Sequence, residues 1–594
     1  MKNGLLIFPP GGDFTNPHLS LPILAAQLKS NGHNVKCMDL SIDFINKIFS
    51  ADYIRYAIQT NKSFFEKYSK NFIELDKSKN KYLINKYQGI KNMFASVPED
   101  KLKKIPAEIE QAMNILKSPI NKDDLKSYQE AMNLFVFVNK FISILFYPLN
   151  QIRDNIEKDS YLNLKDVIFN KEINVFIDYY LEKLKSISTD KCDYIGISIG
   201  VRDQFIPGLT IAAMLKSKTN AHINIGGSYI TRQIENIVKI KDMFSTFADS
   251  FSYGEGEQSI VELAKYIDGK IPIENVPRLV YMKNDEIHIS KPSLSVDMNE
   301  ISMPDFSDYN FDKYICPMYI LPIQIARGCK WGKCTFCDIS MEKTLSTKSI
   351  DRLIDELKFY KNNFGIEFFN VIDESVYPDY LDKLSDRLIK EKLNLNFKIE
   401  CRFEDGFNYN LFKKMKKAGF IYICWGFESA NERICKLINK GVNIKNRLKI
   451  LKDADKAGIY NHLFCIVNFP SETYSEALET VDFLAKHSDI VLSSVIHPFR
   501  LLPASLIAGN PEAFGIKILP KDSCDFSSEL KYESNTSMAV YEINNIFRMH
   551  KEITDKQLFL KVLNSFSAEF YFLSKYGLKE LKKLNKSLKN KITI

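Results

Sequence analysis

Residues 194–227, YIGISIGVRDQFIPGLTIAAMLKSKTNAHINIGG, decide the fold. YIGISI (194–199) is a short apolar run suited to a strand buried on both faces. IPGLTIAAMLKS (206–217) reads as an amphipathic helix, and HINIGG (222–227) as a strand running into paired glycines. Strand, helix and strand at this spacing make a parallel crossover unit. The same alternation fills the first 40 residues. LLIF (5–8) is bounded by Pro9, Pro10, Gly11 and Gly12. A helical pattern follows from about Ser20, with Leu21, Leu24, Ala25 and Leu28 on one face, and Asn31-Gly32 stops it. Val35 to Met38 is a short strand ending at Asp39. Beyond 227 come a helix, a strand near 247–253, and GEGEQSIVELAKYI (254–267), a turn into a helix. The fold class expected is α/β. Residues 1–43 and 189–269 form a Rossmann-like doubly wound sheet, with ligands at the C-terminal strand ends Phe8-Pro9, Ser198–Gly200 and Gly226–Ser228.

Residues 44–188 interrupt this pattern. They are rich in Lys, Asn, Phe, Tyr, Ile and Leu and poor in Gly and Pro, and 124–147 has helical periodicity, so the region reads as a helical insertion. Residues 270–318 read as a linker with a small hairpin (LVYMKNDEIHI), punctuated by Pro272, Pro277, Pro292 and Pro304. A second alternation starts at 321, with strands expected at 321–326, 367–372, 397–402, 420–427, 461–467 and 490–496. Six such units over 319–510 predict a (β/α)6 partial TIM barrel whose site lies at the C-terminal strand mouths. Residues 511–594 read as a helical C-terminal region, its Lys-rich end a solvated helix face.

Of 594 residues, 45% are hydrophobic and 26% charged, which excludes a disordered or fibrous chain. No apolar stretch is long enough to predict a membrane span. The N-terminus lacks a secretory pattern and reads as the first strand of a cytoplasmic protein. Lys plus Arg number 81 against 73 acidic residues; a net charge of +8 spread over this length indicates no nucleic-acid partner. Eleven cysteines are too scattered for a disulfide scaffold.

Three of those cysteines fall within nine residues. QIARGCKWGKCTFCDIS (324–340) places Cys329, Cys334 and Cys337 just past a predicted strand, with Gly328 and Gly332 letting the backbone fold around a bulky centre. Three local thiolates are one short of a closed four-thiolate site. That suits a cubane [4Fe-4S] cluster with one iron open to an exogenous ligand. The alternatives are a zinc site completed from afar by Cys316 or Cys401, and unligated buried cysteines.

This loop resembles that of the radical S-adenosylmethionine (SAM) superfamily, in its branch with an N-terminal cobalamin-binding domain. Four residues separate the first two cysteines, where the usual loop has three; a subset of the family has a similar aromatic-Gly-Lys loop. Further segments resemble the family in order over about 180 residues. FNVIDESVYP (369–378) resembles the second strand, which implies that Asp373, Glu374 and Ser375 lie by the methionine part of S-adenosyl-L-methionine. IECRFE (399–404) resembles the third, with Arg402 implied as partner of the SAM carboxylate. AGFIYICWGFESANERICKLINKG (418–441) resembles the fourth, with Glu428 and Ser429 implied near the ribose or amino-acid part, and NHLFCIVNFPSET (461–473) the fifth, near the adenine. Glu428 could instead cap the next helix, and Asp373 and Glu374 could simply begin one. Trp331 and Phe336 are read as cluster shielding. His462 and His497 are read as structural.

In the N-terminal half, LIFPPGGDFTNPHLSLPILAAQLKSNGHNVKCMDL, YIGISIGVRDQFIPGLTIAAMLK, INIGGSYITR and FSYGEGEQS resemble the cobalamin-binding domains of that branch. The DxHxxG segment that supplies an axial His is absent, so the resemblance implies cobalamin bound without a protein His ligand. It further implies reductive cleavage of SAM, an electron donor such as flavodoxin or ferredoxin, and methyl transfer from the corrin to an unactivated carbon. The alternatives are a radical cyclisation, ring contraction or oxidation, and a non-catalytic metal-stabilised binding protein. The substrate class stays open between a peptide, a lipid and a small metabolite, and no catalytic residue is assigned.

Overall fold

The computed structural model describes residues 2–69, 81–145, 161–171, 174–292, 295–338, 345–520, 526–534, 538–555 and 566–591. The end of the expected 124–147 helix beyond 145 lies outside the described residues, as does Cys524. The chain divides into two compact units. The first comprises Met1–Val296, Ile301–Ile315 and Asp522–Ser528; the second comprises Asp297–Glu300, Cys316–Lys521 and Glu529–Ile594.

The first unit is built on a seven-stranded sheet of order β2-β1-β3-β4-β5-β6-β7. Its strands are β1 (Asn3–Phe8), β2 (Asn34–Asp39), β3 (Tyr194–Ser198), β4 (His222–Gly226), β5 (Ser250–Ser252), β6 (Leu279–Lys283) and β7 (Glu286–Ile289). The first five run parallel, with Leu6 beside Cys37 on one side and Gly196 on the other. Strand order reverses at β1, which makes the C-terminal ends of β1 and β3 the ligand crevice of a doubly wound sheet. At the end of β4, Gly227 has φ +111°, and a Cβ there would stand 2.3 Å from the carbonyl oxygen of Ile199, so only glycine fits this turn.

Two expectations change here. Helix Phe205–Lys216 is not amphipathic: Phe205, Ile206, Leu209, Ile211, Ala212 and Leu215 are all buried, around its whole circumference. Insertion helices Tyr161–Phe169 and Val175–Lys183 pack on its outer side. The Tyr180 hydroxyl donates to Pro207 O at 3.0 Å, and Asn174 Nδ2 donates to Thr210 Oγ1 at 2.9 Å. The segment 270–318, read as a linker, supplies β6 and β7, which extend the sheet antiparallel from β5. Its Val276, Leu279 and Tyr281 join Leu6, Leu21 and Leu263 in the core, which explains why the hairpin stays with the sheet.

The second unit holds six parallel strands in the order β15-β14-β13-β12-β11-β8. They are β8 (Ile320–Ile323), β11 (Phe368–Val371), β12 (Asn396–Cys401), β13 (Phe420–Glu428), β14 (Tyr460–Val467) and β15 (Ser493–Pro498). Helices such as Ile350–Phe364, Pro378–Glu391, Tyr409–Ala418 and Tyr474–Lys486 connect them, giving a partial (β/α)6 barrel. A short ribbon, β9 (Ala326–Arg327) with β10 (Ser346–Thr347), frames the cysteine loop. Trp425 packs between the strands and the helices around them: it is stacked on Phe403 at 4.7 Å, has Phe412 of helix Tyr409–Ala418 at 6.2 Å, and donates from Nε1 to Asn461 Oδ1 at 2.9 Å. Beyond the barrel, the C-terminal region is not wholly helical. β16 (Ile516–Ile518) and β17 (Tyr532–Ser534) form an antiparallel ribbon before helices Val540–Thr554 and Phe566–Lys591. Among the described residues no helix is long and apolar enough to cross a membrane.

Candidate functional site

The cysteine loop leaves β9 at the C-terminal mouth of the barrel, and Cys329, Cys334 and Cys337 are all half-buried there. The C-terminal end of helix Glu432–Ile438 holds the loop at three points. Thr335 N–H donates to Ile438 O at 3.0 Å, and Thr335 Oγ1 donates to Leu437 O at 2.9 Å. The Trp331 indole N–H donates to Asn439 O at 2.7 Å. Gly441 makes room for the indole: it has φ +69°, and a Cβ there would stand 2.1 Å from the ring. Phe336 packs against the cluster of Ile434, Ile438 and Phe469.

The thiols differ electrostatically. Burial opposes ionisation of Cys329. The N–H groups of Gly332 and Trp331, the Tyr377 hydroxyl and the Arg402 charge outweigh it and hold this thiol below its ordinary pKa. Burial pushes the Cys334 thiol up, with Lys440 and Arg402 pulling the other way. Among the described residues no three His, Cys, Asp or Glu side chains are gathered closely enough to hold a single metal ion. A cubane offers each thiolate its own iron, so its ligands stand farther apart than those of a mononuclear ion. The donor set of one glycine-flanked loop therefore fits a cluster better than zinc. Cys401 is buried on β12, and Cys316 Sγ is turned onto Met318 O.

The side chains singled out from sequence separate into two groups. Arg402 is 5% exposed at the end of β12. Its guanidinium lies 5.1 Å from the Trp331 ring, Nε donates to Glu404 at 2.8 Å and Nη2 donates to Lys440 O at 2.6 Å. Nη1 is buried and has no hydrogen-bond partner. Glu428, at φ +62° beyond a bulge in β13, forms an ion pair with Lys440. Both line a cavity of about 220 Å³ with Asn439, Gly441 and Arg447. Glu428 is not a helix cap: Asn431 Oδ1 fills that role, accepting from Ile434 N–H at 3.1 Å. Glu374 is exposed on the loop after β11, and the buried Ser375 Oγ is without a partner.

Asp373 and Ser429 are engaged within the framework instead. Asp373 Oδ2 accepts from Ala326 N–H at 2.8 Å, and the carboxylate also accepts from Ile325 N–H at 3.0 Å. It ties the ends of β8 and β11 to the ribbon that carries the cysteines. Burial pushes its pKa well up, against these N–H donors. Neither Asp373 nor Glu374 caps helix Pro378–Glu391, whose N-cap is Tyr377. Ser429 Oγ accepts from Asn431 N–H at 3.1 Å and lies 3.4 Å from Thr480 Oγ1. Arg447 Nη1 donates to the carbonyls of Phe427 and Ser429 at 2.9 and 2.8 Å, fixing this turn. Sequence reasoning passed over Lys440 and Tyr377; the second sits inside the quoted FNVIDESVYP segment, three residues beyond Glu374. His462 lies at the opposite end of β14, with Nδ1 2.7 Å from Ser493 Oγ, as its structural reading requires. His497 is exposed.

In the first unit, the C-terminal strand ends carry Gly11, Gly12, Gly200, Gly226, Gly227 and Gly254. His18 is exposed beside them, stacked on Phe8 at 4.6 Å. Ser20 N–H donates to its Nδ1 at 3.2 Å, so the neutral ring carries its proton on Nε2 and offers a donor there rather than a lone pair.

Comparison with known proteins agrees with this geometry. Residues 323–484 match the radical SAM superfamily. An uncharacterized methyltransferase of Pyrococcus horikoshii, PH0819, is 27% identical over 307 residues, 50% of this chain and 65% of its own. The anaerobic magnesium-protoporphyrin IX monomethyl ester cyclase of Cereibacter sphaeroides is 24% identical over 317 residues, 50% of each chain. The chain thus spans between about half and two thirds of these curated relatives. In fold it is similar to the radical S-adenosylmethionine methyltransferase TsrM from Kitasatospora setae, solved with cobalamin and a [4Fe-4S] cluster bound. The TM-score is 0.59, covering 99% of both chains at 11% identity. Six parallel strands, a three-cysteine loop at their mouth and the family match over 323–484 lead to one conclusion: this part of the chain is a radical SAM superfamily domain.

Proposed function

We propose that this protein is a cobalamin-dependent radical SAM C-methyltransferase acting on an unactivated carbon. The observation that carries the reading is the loop of three half-buried thiols at the barrel mouth, beside a buried arginine with one unpaired nitrogen. In this reading Cys329, Cys334 and Cys337 hold a [4Fe-4S] cluster. Arg402 pairs with the SAM carboxylate, Glu428 takes ribose or amino-acid hydrogen bonds, and Glu374 and Ser375 border the methionine part. Asp373 and Ser429 position the strand ends on which these groups stand. The C-terminal strand ends of the first unit receive the corrin. When bound, the cluster supplies the electron that splits SAM into methionine and a 5′-deoxyadenosyl radical, and cobalamin supplies the methyl group. The protein's own part is to orient these groups and keep solvent from them.

Likeness in fold to TsrM supports the cofactor set, and the Pyrococcus relative supports methyl transfer. The cyclase among the relatives supports a second outcome, radical cyclisation without methyl transfer. The substrate is a peptide, a lipid or a small metabolite, a flavodoxin or ferredoxin is the electron donor, and the cytoplasm, which keeps thiols reduced, is the compartment. The test is anaerobic reconstitution with iron, sulfide, cobalamin, SAM and reductant. 5′-Deoxyadenosine together with S-adenosylhomocysteine supports the methyltransferase, and 5′-deoxyadenosine alone supports cyclisation or oxidation. A cluster-loaded protein that forms neither is a binding protein.

A further inference from the structure

Cys329 has one side-chain neighbour that the reaction outlined above does not use. Tyr377 closes the loop after β11 and is the N-cap of helix Pro378–Glu391. Its hydroxyl oxygen accepts the backbone N–H of Lys330 at 2.9 Å. The same oxygen lies 3.7 Å from Cys329 Sγ. A phenol has one proton and accepts through its lone pairs. With the Lys330 N–H directed at the oxygen, the hydroxyl proton is left for the sulfur. The ring is held in place: Pro378 follows it at the start of the helix, and the Lys330 ammonium lies 5.6 Å from its centroid.

We propose that Tyr377 is a positioning residue that donates a hydrogen bond to the Cys329 thiolate and thereby raises the reduction potential of the cluster held by Cys329, Cys334 and Cys337. This rests on the cluster reading given above. A donor to a ligand sulfur stabilises the more negative, reduced state more than the oxidised one, and hydrogen bonding to sulfur is one of the levers a protein has on such a potential. The Lys330–Tyr377 bond fixes the donor on the same loop as the ligand, so the contact is pre-set before SAM arrives.

The test is an EPR-monitored redox titration of the full-length, anaerobically reconstituted protein without SAM. Tyr377→Phe keeps the ring and removes only the hydroxyl; its potential is expected to shift to more negative values than wild type. Replacing Tyr377 by 3-fluorotyrosine at neutral pH makes the hydroxyl a stronger donor at almost constant shape, and its potential is expected to shift the opposite way. An unchanged potential in a cluster-loaded Tyr377→Phe protein overturns the inference. Should that variant fail to load, an unchanged potential in the fluorotyrosine protein overturns it equally. Failure of the wild-type chain to take up a cluster overturns both this and the function proposed; a loaded wild type with unmoved potentials overturns this inference alone.

Discussion

Arg402 shows how one side chain is prepared for an anion. Two of its nitrogens are engaged, its face rests on Trp331, and Nη1 remains buried without a partner. Leaving a guanidinium nitrogen unsatisfied costs free energy that an incoming carboxylate returns as a charge-assisted bond. Arg402→Lys keeps the charge but loses the fork, so SAM affinity of the cluster-loaded protein is expected to fall about tenfold, with little change in folding. Equilibrium binding measures this, and an unchanged Kd would remove Arg402 from the SAM site. A role for this arginine was legible in sequence only through resemblance to a strand end. Its stacking and its free nitrogen were not, because both depend on Trp331 and Lys440, 71 and 38 positions away. Glu428 was legible as a candidate, but its ion pair with Lys440 depends on a bulge in β13 that no periodicity announces.

At the scale of elements, the cysteine loop is aimed by the parts around it. Asp373 bridges the end of β11 to Ile325 and Ala326, the residues from which the loop departs. Asp373→Ala would strand those buried N–H groups at a cost of about 2–4 kcal/mol and weaken cluster retention. Chemical denaturation and iron content check both effects. Lys348, beyond β10, and Glu356, on the following helix, form a buried pair at 2.6 Å, with side-chain exposures of 4% and 2%. Lys348→Met would leave the buried carboxylate only its longer ion pair with Arg352, at 3.7 Å, an expected loss of about 2–3 kcal/mol in the second unit. The positions of the barrel strands follow from apolar runs of the right length and spacing, and the sequence pattern located all six. Helix Phe205–Lys216 was misread as amphipathic because its outer face is covered by insertion helices far away in sequence. The hairpin at 279–289 was visible as a hairpin, but not as the edge of a sheet, since pairing with β5 is a tertiary fact.

At the scale of the whole molecule, each unit has its own core, and the second is closed at the N-terminal ends of its strands by the last helix. Glu569 of that helix is buried and accepts from the Tyr422 hydroxyl at 3.1 Å. Burial raises its pKa from 4.5 to about 7, against the pull of Tyr422, Tyr460 and Lys398. The folded state therefore holds this proton to higher pH than the unfolded chain, and its contribution to stability falls as pH rises through that window. His462 nearby works in the opposite sense: burial lowers its pKa from 6.5 to about 3, so stability falls as pH drops below 6.5. Glu569→Gln is accordingly expected to gain in melting temperature over wild type progressively as pH rises from 4.5 to 7. A difference independent of pH would show that Glu569 does not titrate there.

The central claim is that Cys329, Cys334 and Cys337 together hold a site-differentiated cubane with an iron open to SAM. EPR of the anaerobically reconstituted, reduced protein tests it most directly, recorded before and after addition of SAM. The account predicts a [4Fe-4S]⁺ signal whose g-values change when SAM is added, and no such signal after Cys→Ala replacement at any of the three positions. A wild-type protein with no cluster signal, or with one that survives those replacements or ignores SAM, would contradict it.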